Sequence, residues 1–228
     1  MKLQRAVIDS LNVANFNLED LFDNDNYSIE LVKGIGVFEP YRWLETFGRV
    51  TSRHIIEAKI LHTSNGLTLP LKRFSSSQNL QTIEFAGLYA YNEKSLFKRK
   101  LLKENIQVLE DSYIKRLDIA IDFKRAIPKK TIEIICKHRI PFKQNGMNTY
   151  YYKTNSEKKS NVTMDIKIYD KAKKENLNYY LQRLEFCFKG AYFNKIKLKD
   201  INLVLTKIRK SIKKFTGLSV KIIPLNSI

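Results

Sequence analysis

Residues 115–123 read KRLDIAIDF, and their strict alternation constrains the chain more than any other feature. In a β-strand, Leu117, Ile119, Ile121 and Phe123 point one way, while Asp118, Ala120 and Asp122 point the other. The segment therefore belongs to a sheet with one apolar face and one face that carries carboxylates. Packing alone supplies no reason for such a row of aspartates in the middle of a basic chain.

The same parity organises later segments. In MDIKIYDK (164–171), Ile166 and Ile168 form the apolar face, which leaves Asp165, Lys167, Tyr169 and Lys171 on the other. In RLEFCF (183–188), Leu184, Phe186 and Phe188 are apolar, and Arg183, Glu185 and Cys187 share the opposite face. If these strands are sheet neighbours, one surface gathers Asp118, Asp122, Glu185, Lys167, Lys171 and Arg183. Carboxylates among cations suit metal-assisted phosphoryl transfer; the plainer alternative is a polar face knit by cross-strand ion pairs. Asp118 and Asp122 stand roughly 13 Å apart along one strand, so both cannot ligate one ion.

The segment TYYYKT (149–154) adds three consecutive tyrosines. With Tyr150 and Tyr152 directed to the core, Tyr151 stands with Thr149 and Lys153 on the polar face. Such a tyrosine serves as filler, as a platform for stacking bases, or as a nucleophile. A phenol of pKa about 10 costs about 4 kcal/mol to supply as phenolate at pH 7 unless a cation assists. Lys153, Lys167 and Lys171 are the candidates for that assistance.

The rest of the chain predicts a single α+β domain over 1–228: a central, largely antiparallel sheet with helices on one face, in a pattern that also admits a duplicated strand–helix unit. Residues 1–110 read as mostly β, 111–190 hold the polar strands, and 198–216 form a basic C-terminal helix. Helices are expected at 40–48 (Pro40, YRWLETF, Gly48), from Asn92 through EKSLFKRKLLKEN, and from Pro128 to before Pro141. The last helix, DINLVLTKIRKSIKKF, takes Asp200 as N-cap and Gly217 as its stop. Its apolar stripe is Ile201, Val204, Leu205, Ile208, Ile212 and Phe215, and Lys207, Lys210, Lys213 and Lys214 occupy the other side.

The formal net charge is +18, and it is regional: −1 over 1–90, +10 over 91–188 and +9 over 189–228. This points to a polyanion partner, most simply nucleic acid. Cys136 and Cys187 both lie in apolar runs and read as buried, reduced thiols. No stretch reaches the ~18 apolar residues of a membrane span, and the N-terminus lacks a signal-peptide layout, so a soluble, cytoplasmic protein is expected. His54, His62 and His138 form no His-hydrophobic-His pair, which argues against nicking enzymes that hold metal in that way. Phosphate-loop glycines and zinc-type Cys/His spacing are also absent.

The ordered series KRLDIAIDF, TYYYKTNSEKKSNVTMDIKIYDKAKKE and LQRLEF, over roughly 110–190, resembles the replication initiation factor (Rep_trans) family. This family comprises initiators of rolling-circle plasmids, relatives in filamentous phages, and relaxases of conjugative elements. AVIDSLNVAN and IEFAGLYAYN resemble its weaker N-terminal strands. The resemblance implies a nickase that cuts one DNA strand through a tyrosine, stays linked to the 5′ phosphate and leaves a 3′-OH, with Mg²⁺ or Mn²⁺ as cofactor. It maps the nucleophile to Tyr151, with Tyr150, Tyr152 and Tyr169 as reserves. Asp118 and Asp122 correspond to the first-strand aspartates, Lys171 to the lysine of Y-D-K, and Arg183 with Glu185 to the R-x-E strand. Asp122 is slightly favoured over Asp118 as a metal ligand beside Glu185. Two positions depart from the pattern: Lys153-Thr154 replaces a Gly-Ser, and Lys167 replaces an arginine, a point charge for a bidentate clamp.

The implied partners are origin DNA, double- and single-stranded, with a host helicase and a second copy of the chain as further candidates. Lys153 and the four lysines of the last helix are the expected DNA contacts. Two other readings remain open: a conjugative relaxase with the same chemistry, and a non-catalytic nucleic-acid-binding protein.

Overall fold

The computed structural model of the protein describes residues 3–14, 27–33, 55–63, 68–74, 81–143, 149–153 and 163–225. Among these, eleven strands join in one sheet. They are β1 (Gln4–Ala14), β2 (Tyr27–Lys33), β3 (Ile55–Thr63), β4 (Thr68–Phe74), β5 (Gln81–Ala86), β6 (Tyr113–Phe123), β7 (Ile140–Lys143), β8 (Thr149–Lys153), β9 (Met164–Asp170), β10 (Gln182–Lys189) and β11 (Val220–Ile222). The helices are α1 (Glu93–Asn105), α2 (Lys129–His138), α3 (Lys171–Lys174) and α4 (Ile201–Thr216). Across the sheet the order is β2-β3-β4-β5-β1-β6-β10-β9-β8-β7, with each neighbour antiparallel, and β11 pairs parallel to the start of β1. The fold is α+β with a largely antiparallel central sheet, as the alternation required. The helix expected at 40–48 lies outside the described residues.

The apolar faces behave as their parity dictates. Leu117, Ile119, Ile121, Ile166, Ile168, Leu184, Phe186 and Phe188 are all buried in one core with Ile135 of α2 and Val204, Leu205, Ile208 and Ile212 of α4. Each such side chain contributes about 1.5–3 kcal/mol through burial. Tyr192 ties α4 to this face: its ring centroid lies 4.8 Å from that of Phe188, and its hydroxyl is 2.8 Å from Ser211 Oγ.

The helix boundaries follow local chemistry. Asn92 accepts from the Ser95 N–H and caps α1. Pro128 precedes α2 without needing an N–H. Gly217 ends α4 at φ 73°, with its N–H bonded to the Lys213 carbonyl. A Cβ there would lie 2.8 Å from Ile134 Cδ1, so the Ile134 methyl would have to shift, and the left-handed φ itself favours glycine.

Three local expectations are corrected. Cys136 is exposed, because Thr131 and Ile135 mark the buried side of α2 and the next residue turns about 100° away from it. Tyr150 is exposed near the sheet's outer edge, where Lys143 Nζ stands 5.3 Å from its ring centroid. Lys171 does not continue β9; it opens α3, whose N-cap Asp170 accepts from the Lys173 N–H.

Candidate functional site

Strands β8, β9, β10 and β6 are consecutive neighbours, so their polar residues fall into rows. One row runs Tyr151, Lys167, Glu185, Ala120, Val7. A second runs Thr149, Tyr169, Arg183, Asp122. A third places Asp165, Cys187, Asp118 and Ser10 side by side. Parity thus delivers the expected shared face, with Tyr151 half-buried beside Lys167.

The centre of this face is Arg183, which is fully buried. Its Nε and Nη2 donate to Asp122 Oδ1 and Oδ2 at 2.6 and 2.7 Å, and Nη2 also donates to the Tyr89 carbonyl at 2.9 Å. Its Nη1 lies 2.9 Å from Asp9 Oδ1. The guanidinium therefore bridges two carboxylates from different strands, a bidentate geometry that lysine cannot reproduce. Tyr91 completes the group by donating its hydroxyl to Asp122 Oδ2 at 2.6 Å. Burial and that hydrogen bond push the Tyr91 phenol up.

Glu185 forms the second centre, accepting from Lys167 Nζ at 2.7 Å and from the Tyr169 hydroxyl at 2.8 Å. Burial would raise its carboxyl, but the Lys167 charge and these hydrogen bonds reverse the effect and hold it at about 2. Burial alone would lower the Lys167 ammonium; Glu185 and Asp118 carry it above the ordinary lysine value. Burial and the Glu185 charge push Tyr169 up, so this phenol stays protonated as a donor.

Asp118 is the third centre. Arg116, two residues back on the same strand, grips it with Nε and Nη2 at 2.9 and 2.6 Å. Arg116 Nη1 also lies 3.6 Å from buried Glu84. Burial pushes the Asp118 carboxyl up despite Arg116. Lys171 is buried too, donating to Glu175 Oε1 at 2.8 Å, and burial with nearby Arg183 pulls its ammonium down.

The expected metal ligands do not converge. Asp122 is held by Arg183 and Tyr91, Glu185 by Lys167 and Tyr169, and Asp118 by Arg116. No group of three or more His, Cys, Asp and Glu side chains comes together among the described residues. This donor set, already neutralised by the protein's own cations, does not fit a divalent-ion site.

The basic helix stands apart. Lys207, Lys210, Lys213 and Lys214 are exposed on α4, which packs on the apolar face and so lies across the sheet from Tyr151. Lys153 closes β8; its side chain lies outside what the structure describes.

Two members of the site were not legible as such. Asp9 sits at a β-bulge: Ile8 pairs with Ile119 and Ser10 with Asp118, so Asp9 is the extra residue. A single aspartate inside AVIDSL is its only sequence signal. Tyr91 sits in a loop after β5 at φ 61°, where no periodicity could mark it.

No family model matches the chain, and no curated protein does. One solved structure that it resembles is a rolling circle replication initiator protein from Geobacillus stearothermophilus, at 12% identity and a TM-score of 0.45, over 93% of this chain and 85% of the other. A likeness at that level identifies neither family nor chemistry.

Proposed function

We propose that this protein is a DNA strand transferase that nicks one strand through Tyr151, as a replication initiator of the rolling-circle kind. The observation that carries this reading is the row Tyr151–Lys167–Glu185 on adjacent strands, one residue from each of three segments that carry the resemblance. In the proposed step the Tyr151 oxygen bonds to phosphorus as the bond from phosphorus to the 3′ oxygen breaks. The tyrosine proton passes to solvent and the leaving oxygen takes one up. The products are a 5′-phosphotyrosine and a free 3′-OH. Lys167 remains cationic beside the tyrosine because Glu185 holds its proton in place, and it supplies positive charge where the phosphoryl oxygens gather it. Arg183 acts further back: fully buried and bridging Asp122 to Asp9, it holds β10 in position.

The test is incubation with supercoiled DNA carrying the protein's own gene and flanks, in parallel with Mg²⁺, Mn²⁺ or EDTA. Nicked circles and protein-linked DNA on a denaturing gel are expected from the wild type, and the adduct is expected to vanish in Tyr151→Phe. An adduct that survives in the variant moves the nucleophile elsewhere. Tight binding with no nick under any metal condition favours a second reading, a non-catalytic single-strand binder. The engagement of Asp118, Glu185 and Asp122 in internal ion pairs is the observation on its side.

A further inference from the structure

Beside the Arg183 centre lies a cavity of about 720 Å³, bounded by the start of α1 and by β1 and β6. Its walls include apolar Val7, Ala120, Leu96 and Leu181, and two tyrosines, Tyr89 and Tyr91, border it. The two rings have different surroundings. Tyr89 is covered by the Arg99 guanidinium, 4.8 Å from its centroid, and Arg99 is anchored by donating to the Leu88 carbonyl at 2.6 Å. Tyr91 has the Arg183 guanidinium farther off, 5.8 Å from its centroid, and is 46% exposed. It also occupies the left-handed backbone region at φ 61°, a conformation that a bulky residue rarely adopts. The hydrogen bond from its hydroxyl to Asp122 fixes where the ring stands. The backbone conformation and the tethered hydroxyl together hold a half-exposed aromatic ring, backed by Arg183, at the mouth of a cavity.

The electrostatics select an anion. Arg5, Arg99 and Lys124 line the cavity against Glu93 and Asp122, and Asp122 shares the Arg183 guanidinium with Asp9. A ligand with a flat aromatic part and a negative charge fits both halves of this lining. Ala120 belongs to the cavity and also to the row that contains Tyr151, three strand spacings away, or about 14 Å. That is a span of a few nucleotides.

We infer that this cavity receives one nucleotide of a single DNA strand, its base stacked on Tyr91 and its phosphate met by Arg5 and Lys124. The inference rests on the proposed function only for the presence of a DNA strand on this face, and not on cutting by Tyr151. A duplex keeps its bases paired and stacked and so cannot offer one to the ring; a single strand can.

The test uses the full chain and oligo(dT) carrying 5-iodouracil, irradiated and then mapped by mass spectrometry, with fluorescence anisotropy on the unmodified strand. A cross-link at Tyr91 is expected. Tyr91→Ala should weaken single-strand binding about tenfold, the size of one base stack, while Tyr91→Phe keeps the ring and stays within about twofold of wild type. Lys124→Glu, at an exposed rim position, should reduce the slope of log affinity against log salt by about 0.7. Wild-type affinity in Tyr91→Ala, or cross-links confined to other parts of the chain, would each overturn the inference. So would failure of the wild type to bind single strands, which would remove the proposed function as well. A Tyr91 cross-link in Tyr151→Phe protein that forms no adduct would uphold the cavity whatever the fate of the cutting step.

Discussion

Arg183 shows how one side chain can be predicted for its chemistry and still surprise in its role. Strand parity places it on the polar face, yet it is buried, spends its donors on Asp122 and the Tyr89 carbonyl, and stands in ion-pair contact with Asp9. Removing it leaves two carboxylates without a counter-charge, which costs about 3–5 kcal/mol in buried pairs. Arg183→Ala is expected to lower the urea midpoint accordingly, with far-UV circular dichroism as readout. Glu185 gives a pH signature of definite sign. Its folded value, about 2, lies below its ordinary 4.5, so the stability it contributes is complete above about 4.5 and is lost as pH falls toward 2. Asp118, pushed up by burial, acts in the opposite sense. Glu185→Gln should therefore flatten the fall in urea midpoint through that acid window, and an unchanged fall would show that Glu185 is not the group responsible.

At the scale of elements, helices α1, α2 and α4 were legible because each carries its own punctuation: Asn92, Pro128 and Gly217 act within one turn of the boundary they set. Strand β7 was not, since Ile140–Lys143 is short, exposed and interrupted by Pro141. An edge strand tolerates that proline because its outward N–H needs no partner. Helix α4 combines a buried stripe with four exposed lysines on the side of the sheet away from Tyr151. Reversing Lys207, Lys210, Lys213 and Lys214 to glutamate should weaken duplex binding and flatten its salt dependence, by about 0.9 in slope for each phosphate no longer neutralised. Cutting of a single-stranded oligonucleotide should persist. Equal loss of both activities would show that α4 has no separate recognition role.

At the scale of the molecule, the charge of +18 and the sheet divide the labour. The excess lies in residues 91–228, so cations reach both sides of the central strands: the cavity rim on one face and α4 on the other. The two thiols report on the same body. Cys136 is exposed on α2, while Cys187 is buried in β10, its thiol pushed up to about 12 by burial and by Asp118. A colourimetric disulfide reagent should therefore titrate one thiol at once and the second only as the sheet opens, at a rate that rises with urea. Two fast thiols would mean that β10 is not the sealed centre of the sheet.

The sequence by itself determined which residues share a face. Side-chain alternation is a property of the single strand, so Asp118 with Asp122, and Arg183 with Glu185, could be assigned to the polar side of their own strands, as could Lys167, before any pairing was known. Tertiary structure alone decided who pairs with whom. Register across β6, β10, β9 and β8 set Arg183 against Asp122 and Lys167 against Glu185, and burial made those pairs obligatory, turning expected metal ligands into partners of the protein's own cations. Asp9 and Tyr91 entered the site through a bulge and a loop, where the backbone leaves its repeat and alternation no longer says which way a side chain points.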